Sequence, residues 1–172
     1  AGKSPKQVIV HIEDGGTSAY ITACGADQIF MTPLTNWQVL GLRLGPLFLK
    51  DTFDKLGVEF DVVRIAPWKS APDQYNRTSM TKESEQQYNW LIDSLYNSIA
   101  QTISQRRGID IDQVQALIDD APLNADEALA ANLIDGIYYE DELPNALSWG
   151  TEPASVRPAG DCVQVMLRPR MR

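Results

Sequence analysis

Lys69 stands in the stretch Ile65-Ala66-Pro67-Trp68-Lys69-Ser70-Ala71-Pro72, with no other charge between Arg64 and Asp73. Small, aromatic and proline neighbours are not those of an ordinary solvated helix face. An ammonium held among apolar groups loses hydration and gives up its proton more readily, and the neutral amine can then take a proton from a hydroxyl. The stretch therefore suits a lysine general base. Such a base works on a hydroxyl nucleophile. Thr17 and Ser18 follow Gly15-Gly16 where a strand is expected to pass into a helix, and backbone amides with the helix dipole stabilise developing negative charge at such a point.

Other chemistries are poorly supplied. His11 is the single histidine and lies in the apolar run Val8-Ile9-Val10-His11-Ile12, which predicts a strand histidine satisfied by its neighbours rather than a catalytic base. One histidine and two distant cysteines, Cys24 and Cys162, make neither a zinc site of the usual ligand count nor a disulfide framework. No metal and no cofactor is expected. Gly15-Gly16 lacks the spaced glycines of a dinucleotide turn and the Gly-Lys-Ser/Thr of a nucleotide loop. The acidic groups Asp119-Asp120 and Glu140-Asp141-Glu142 fall at the ends of predicted elements and read as solvated. A formal net charge of -8 argues against nucleic acid as a partner, because neutralising phosphates takes a surplus of Lys and Arg. The basic run Arg168-Pro169-Arg170-Met171-Arg172 reads as a solvated tail.

The elements that must position Lys69 and Thr17 follow from periodicity and punctuation. With 172 residues, the chain is long enough for one sizeable core and short for two full domains. Residues 7 to 12 predict a strand closed by the turn signal Glu13-Asp14-Gly15-Gly16, and residues 17 to 27 a helix of small residues. A second strand is expected at 28 to 32, a helix at 47 to 56 stopped by Gly57, and a third, half-buried strand at 58 to 65. Strands separated by helices imply parallel pairing and an α/β class. Thr81 predicts the N-cap of a long packing helix through about Arg106, with Trp90, Leu91, Leu95 and Ile99 near one face and Gly108 as its stop. A helix near 112 to 119 follows. Asn124 and Glu127 form a capping-box-like start for a helix from 125 to 133, closed by Gly136, and 137 to 139 read as a last short strand. Residues 1 to 143 are expected to form the domain, and 144 to 172 a linker toward a following domain. No stretch approaches the roughly 20 apolar residues that cross a bilayer. The chain opens at Ala1-Gly2-Lys3-Ser4-Pro5 without methionine, which reads as an internal fragment or processed product.

The run from Val62 to Thr81 resembles the lysine-bearing motif of the signal peptide peptidase A (protease IV) family. That motif is, in outline, aromatic-Lys-Ser-Ala, an aromatic, an arginine, then Met-Ser/Thr opening a long helix. Trp68, Lys69, Ser70, Ala71, Tyr75, Arg77, Met80 and Thr81 fit it. The likeness extends through Tyr20, Ala26-Asp27-Gln28-Ile29 and Pro33 upstream, and through Ala128 and Leu133-Ile134-Asp135-Gly136 downstream. It implies a crotonase-like or Clp-protease-like α/β fold, here without its first βα units, and a serine protease with a Ser/Lys dyad in which Lys69 is the general base. It further implies peptide substrates such as signal peptides and unfolded polypeptides, and homo-oligomers with active sites between domains. A membrane anchor outside this chain, and a place on the extracytoplasmic, periplasmic face of a bacterial membrane, are implied as well. The family's nucleophilic serine falls at Thr17, beside Ser18, which is a departure: a β-methyl crowds a serine-shaped site, and threonine nucleophiles usually borrow an N-terminal amine. Long members pair a lysine-bearing domain with a serine-bearing one, so the resemblance implies the lysine-donating half of a tandem protease. The competing expectation is an inactive structural domain of the same fold. An acyl-CoA enzyme of the wider crotonase class has no supporting feature.

Overall fold

The computed structural model describes residues 7–63, 68–148 and 152–158. In chain order the elements begin with β1 (Ile9–Ile12), β2 (Gly15–Gly16), α1 (Thr17–Ala23), β3 (Gln28–Met31) and β4 (Asn36–Gln38). Four helices follow: α2 (Lys50–Lys55), α3 (Asp73–Asn76), α4 (Lys82–Arg107) and α5 (Ile111–Asp119). The chain closes with β5 (Leu123–Asn124), α6 (Ala125–Ala130), β6 (Gly136–Ile137), a 3-10 turn at Glu140–Glu142 and α7 (Leu143–Ala146). They fall into two compact units, residues 1–39 with 120–172, and residues 40–119.

In the first unit β1 pairs parallel to β3 and β3 parallel to β6, as the alternation of strands and helices implied. A second small sheet joins β2 parallel to β4 and β4 antiparallel to β5. The sheets and α1 enclose Tyr20, Ile29, Met31, Trp37, Leu133 and Ile134, all essentially inaccessible. Two aspartates extend the main ladder. Asp27 donates its amide to the Val8 carbonyl and accepts the Val8 amide on Oδ2 at 2.8 Å, while Asp135 accepts the Ile29 amide on Oδ2 at 2.7 Å. Tyr20, fully buried, donates its hydroxyl to the Leu133 carbonyl at 2.6 Å and meets Trp37 edge-on at 5.4 Å.

Gly15-Gly16 is a strand rather than part of a turn. A Cβ on Gly15 would lie 2.1 Å from the Asn36 carbonyl oxygen, so only glycine lets β2 approach β4. Gly136 likewise belongs to β6 and does not close a helix. Its missing side chain makes room for the rings of Tyr138 and Phe30, which an added Cβ would meet at 2.7 and 3.1 Å. The stop of α6 is Asn132, in the left-handed region at φ 59°, with Asn132 N on Leu129 O and Leu133 N on Ala128 O. The capping box at its start is present in full: Asn124 Oδ1 accepts from Glu127 N, and Glu127 Oε2 from Asn124 N. Pro144, where the linker was expected to begin, lies in α7, and Ala154 N donates to its carbonyl at 2.7 Å.

In the second unit α2 ends as expected. Gly57 takes φ 70°, its amide donates to Asp54 O, and the Val58 amide reaches Phe53 O. The expected strand over 58 to 65 is absent from residues 58–63, and 64–65 lie outside the described residues. Alternation of Val58, Phe60 and Val62 with acidic residues suits a strand, but a strand exists only against a partner ladder, and Val58 and Phe60 are exposed. The long helix α4 agrees with its predicted bounds: Thr81 Oγ1 accepts from Ser84 N at 3.1 Å, and Gly108 at φ 67° ends the helix. Its packing face does not agree. Trp90, Leu91 and Leu95 are 71%, 41% and 49% exposed and Ile99 is half-buried, while Ser84 in the first turn and Ala100 and Ile103 in the C-terminal third, beside α5, are buried.

Gly15→Ala is expected to lower stability by about 1–3 kcal/mol, read as a fall in melting temperature. Gly41→Ala, whose added methyl meets nothing within 4 Å, should leave the melting temperature unchanged.

Candidate functional site

Lys69 lies at the head of a short, closely tied segment of the second unit. Immediately after it, Asp73 N donates to Ser70 O at 2.9 Å and closes a turn, from which α3 runs for four residues. The α3 segment is tied at three points. Leu49 N, at the start of α2, donates to Gln74 O at 2.7 Å. Tyr75 stacks on Phe60 at 5.3 Å, and Phe60 in turn meets Phe53 of α2 edge-on at 4.8 Å. Asp73 accepts the Arg77 amide on its carbonyl at 3.0 Å, and the Arg77 Nε lies 3.8 Å from Asp73 Oδ1. Thr81 then starts α4 with its side-chain cap.

Among the described residues the expected apolar setting of Lys69 is not found. Lys69 is exposed, and Trp68 beside it is 50% exposed; Ile65, Ala66 and Pro67 lie outside the described residues. Apolar neighbours in sequence desolvate a lysine only where other chain segments close over it, and Trp68 and Lys69 are both exposed. The segment presents the ammonium to solvent rather than enclosing it.

Thr17 and Ser18 belong to the first unit. Thr17 is the first residue of α1 and half-buried, and Ser18 is exposed, its carbonyl accepting from Thr22 Oγ1 at 2.8 Å. Gly16 precedes them as an N-cap without a side chain to bond the first-turn amides. His11 is satisfied within its sheet, as expected: its half-buried ring donates from Nε2 to the Tyr138 carbonyl at 2.8 Å, with Thr32 Oγ1 at 3.3 Å from the same nitrogen. Cys24 is buried just past α1, and Cys162 lies outside the described residues. Among the described residues no group of three or more His, Cys, Asp and Glu is placed to hold a metal ion.

Two features were not read from the sequence. Asp73 is only 3% exposed; its signal was its place four residues before Arg77 on one helical turn. The other is an open recess of about 560 Å³ beyond the carboxyl ends of β1 and β3, lined by His11, Glu13, Thr32, Tyr139, Glu140 and Asp141. Glu140 and Asp141 are exposed, as expected, yet they face the same hollow as Glu13, a neighbourhood that only the strand order creates.

A family model for peptidase family S49 matches residues 1–152. The chloroplastic serine protease SPPA of Arabidopsis thaliana is 30% identical over 141 residues, which are 82% of this chain and 21% of that protein. Protease 4 of Haemophilus influenzae is 26% identical over 109 residues, 63% of this chain and 18% of that protein. A membrane-bound stomatin-specific protease, solved in complex with a substrate peptide, overlays with a TM-score of 0.43 at 15% identity, over 81% of this chain and 51% of that one. The chain thus spans about a fifth of the length of these two curated relatives.

Thr81→Ala should destabilise the α4 start by about 1 kcal/mol, and Thr81→Ser should restore most of it, since a hydroxyl again accepts the Ser84 amide. Denaturant titration of the two variants reads the difference.

Proposed function

The chain belongs to peptidase family S49, and from that membership we propose that it supplies the lysine general base of a Ser/Lys-dyad serine endopeptidase whose serine stands on another domain. The observation that carries the reading is Lys69 held exposed at the head of a hydrogen-bonded turn, inside the motif Trp68-Lys69-Ser70-Ala71. A lysine exposed in its own chain meets the dry surroundings that suit a base only when another surface covers it. A second domain or subunit bringing the serine would do both at once.

In that assembly the neutral Nζ of Lys69 takes the proton of the serine hydroxyl as its oxygen attacks the peptide carbonyl. The ammonium then returns the proton to the departing amine as the C–N bond breaks, and an acyl-enzyme remains. Lys69 next deprotonates a water that attacks the ester, and the proton passes back to the serine. Thr17 occupies the place of the family serine in this chain. It is an internal residue, half-buried, with a β-methyl and no N-terminal amine to activate it, which favours a serine from elsewhere. Ser18, one position along α1, is likewise internal, with no N-terminal amine to activate it.

The reading carries with it a crotonase- or Clp-like fold for the complete domain, residues 144 to 172 as a linker, and homo-oligomers with sites between domains. Substrates would be signal peptides and other unfolded polypeptides, and no cofactor is needed. Among the described residues no helix is long and apolar enough to cross a membrane, so attachment to the extracytoplasmic face of a bacterial membrane would use an anchor outside them. A second reading, an inactive domain retained for assembly, draws on the threonine at position 17 and the exposure of Lys69.

The full-length protein separates the two. Lys69→Ala should lower kcat on a peptide substrate by at least about 100-fold without changing the assembly's size, whereas Thr17→Val and Ser18→Ala should retain activity. Full activity of Lys69→Ala with intact assembly would sink the catalytic reading.

A further inference from the structure

Resting on Lys69 as the base, we propose that the apolar surface of residues 40–63 is where the serine-bearing domain docks, so that one contact covers this surface and Lys69 together. Not one residue from 40 to 63 is buried. Residues 40–49 form neither helix nor strand, and α2 after them has no buried side chain. Leu40, Leu44, Leu47, Leu56, Val58 and Phe60 are 39% to 70% exposed. Exposed leucines scattered singly are ordinary, but so many large apolar side chains in one short segment mark a surface kept for a partner.

The surface continues into the Lys69 segment. Phe60 stacks on Tyr75 of α3, which is itself 37% exposed, and Leu49 N bonds Gln74 O in the same short helix. Trp68, adjoining Lys69, adds another half-exposed ring. The chemistry of the segment selects its occupant. Three basic residues stand against four acidic ones between 40 and 63, and Lys50 is already bonded to Asp54. An anionic lipid surface attracts basic clusters, which this balance does not provide. An extended peptide adds to a sheet edge, and the second unit has no strand among its described residues. Aromatic rings with charges of both signs beside them match the face of a folded domain. The chain matches only 21% and 18% of its two curated relatives, so those proteins hold ample further chain from which such a domain can come.

The test uses the full-length protein and reads kcat on a peptide substrate together with hydroxyl-radical oxidation of Trp68, followed by mass spectrometry. Leu47→Glu combined with Leu56→Glu puts charge on the surface at two positions that are 66% and 70% exposed and fill no core. In this double variant kcat should fall at least about 10-fold at unchanged melting temperature, and Trp68 should be oxidised several-fold faster as its cover lifts. Trp90→Gln, on the exposed part of α4, should keep wild-type values of both. Footprinting the wild-type protein without substrate does not depend on how any variant folds: Leu47, Leu56 and Phe60 should be protected, and ready oxidation of all three overturns the proposal. Wild-type kcat and Trp68 oxidation in the double variant overturn it too, as does an equal loss in Trp90→Gln. A raised KM at unchanged kcat would make the surface a substrate site, and lost binding to phosphatidylglycerol vesicles at unchanged kcat a membrane site; either overturns the proposal. Lys69→Ala separates this claim from the one beneath it. If that variant is inactive while the double variant is fully active, the docking surface alone fails, and if Lys69→Ala is fully active, the base itself fails.

Discussion

The first unit depends on the parallel pairing of β3 with β6, framed by the two-way bonds between Ile29 and Asp135. That pairing brings residues 136–137 back to a strand begun at residue 28, across the whole second unit in sequence. Three further ties in the unit follow the same return: Tyr20 on Leu133, His11 on Tyr138, and Trp37 opposite Leu123. The aspartates of Ala26-Asp27 and Asp135-Gly136, which stood out in the sequence as part of a family likeness, thereby have a structural use. Each caps a ladder position that the short strands leave open, so these acids serve the sheet.

What was legible in the sequence was local. Thr81, Gly57, Gly108 and the Asn124–Glu127 pair bond to amides or carbonyls a few residues away, so residue type and spacing define them, and each stands where it was expected. The parallel α/β pattern was legible for a related reason: strands of this length separated by helices have few other ways to pair. What failed was non-local. The alternation at 58 to 63 meets the requirements of a strand except for a neighbour, and Gly136 and Asn132 exchange roles because the crowding at Gly136 comes from Phe30, far away in sequence. The apolar face of α4 was misplaced for the same reason, since periodicity locates a stripe without saying what covers it.

Lys69 brings both kinds of information together. Its motif is a local fact and assigns the family, whereas its hydration is a property of whatever lies over it. Within this chain the residue is exposed on a turn that is fastened at Ser70, Asp73, Gln74 and Tyr75. A rigid support beneath an open side chain suits a group whose surroundings are completed by another polypeptide.

β4 and β5 are paired antiparallel at Asn36↔Asn124 and Trp37↔Leu123, so the excursion through residues 40–119 leaves and re-enters the first unit at hydrogen-bonded neighbours. The entropy of closing such a loop rises only logarithmically with its length. Once the two strands have met, residues can be added to or removed from the excursion at small cost to the sheet. The part of the chain that carries the lysine can therefore change in length and content while the framework that returns it to the sheet stays the same.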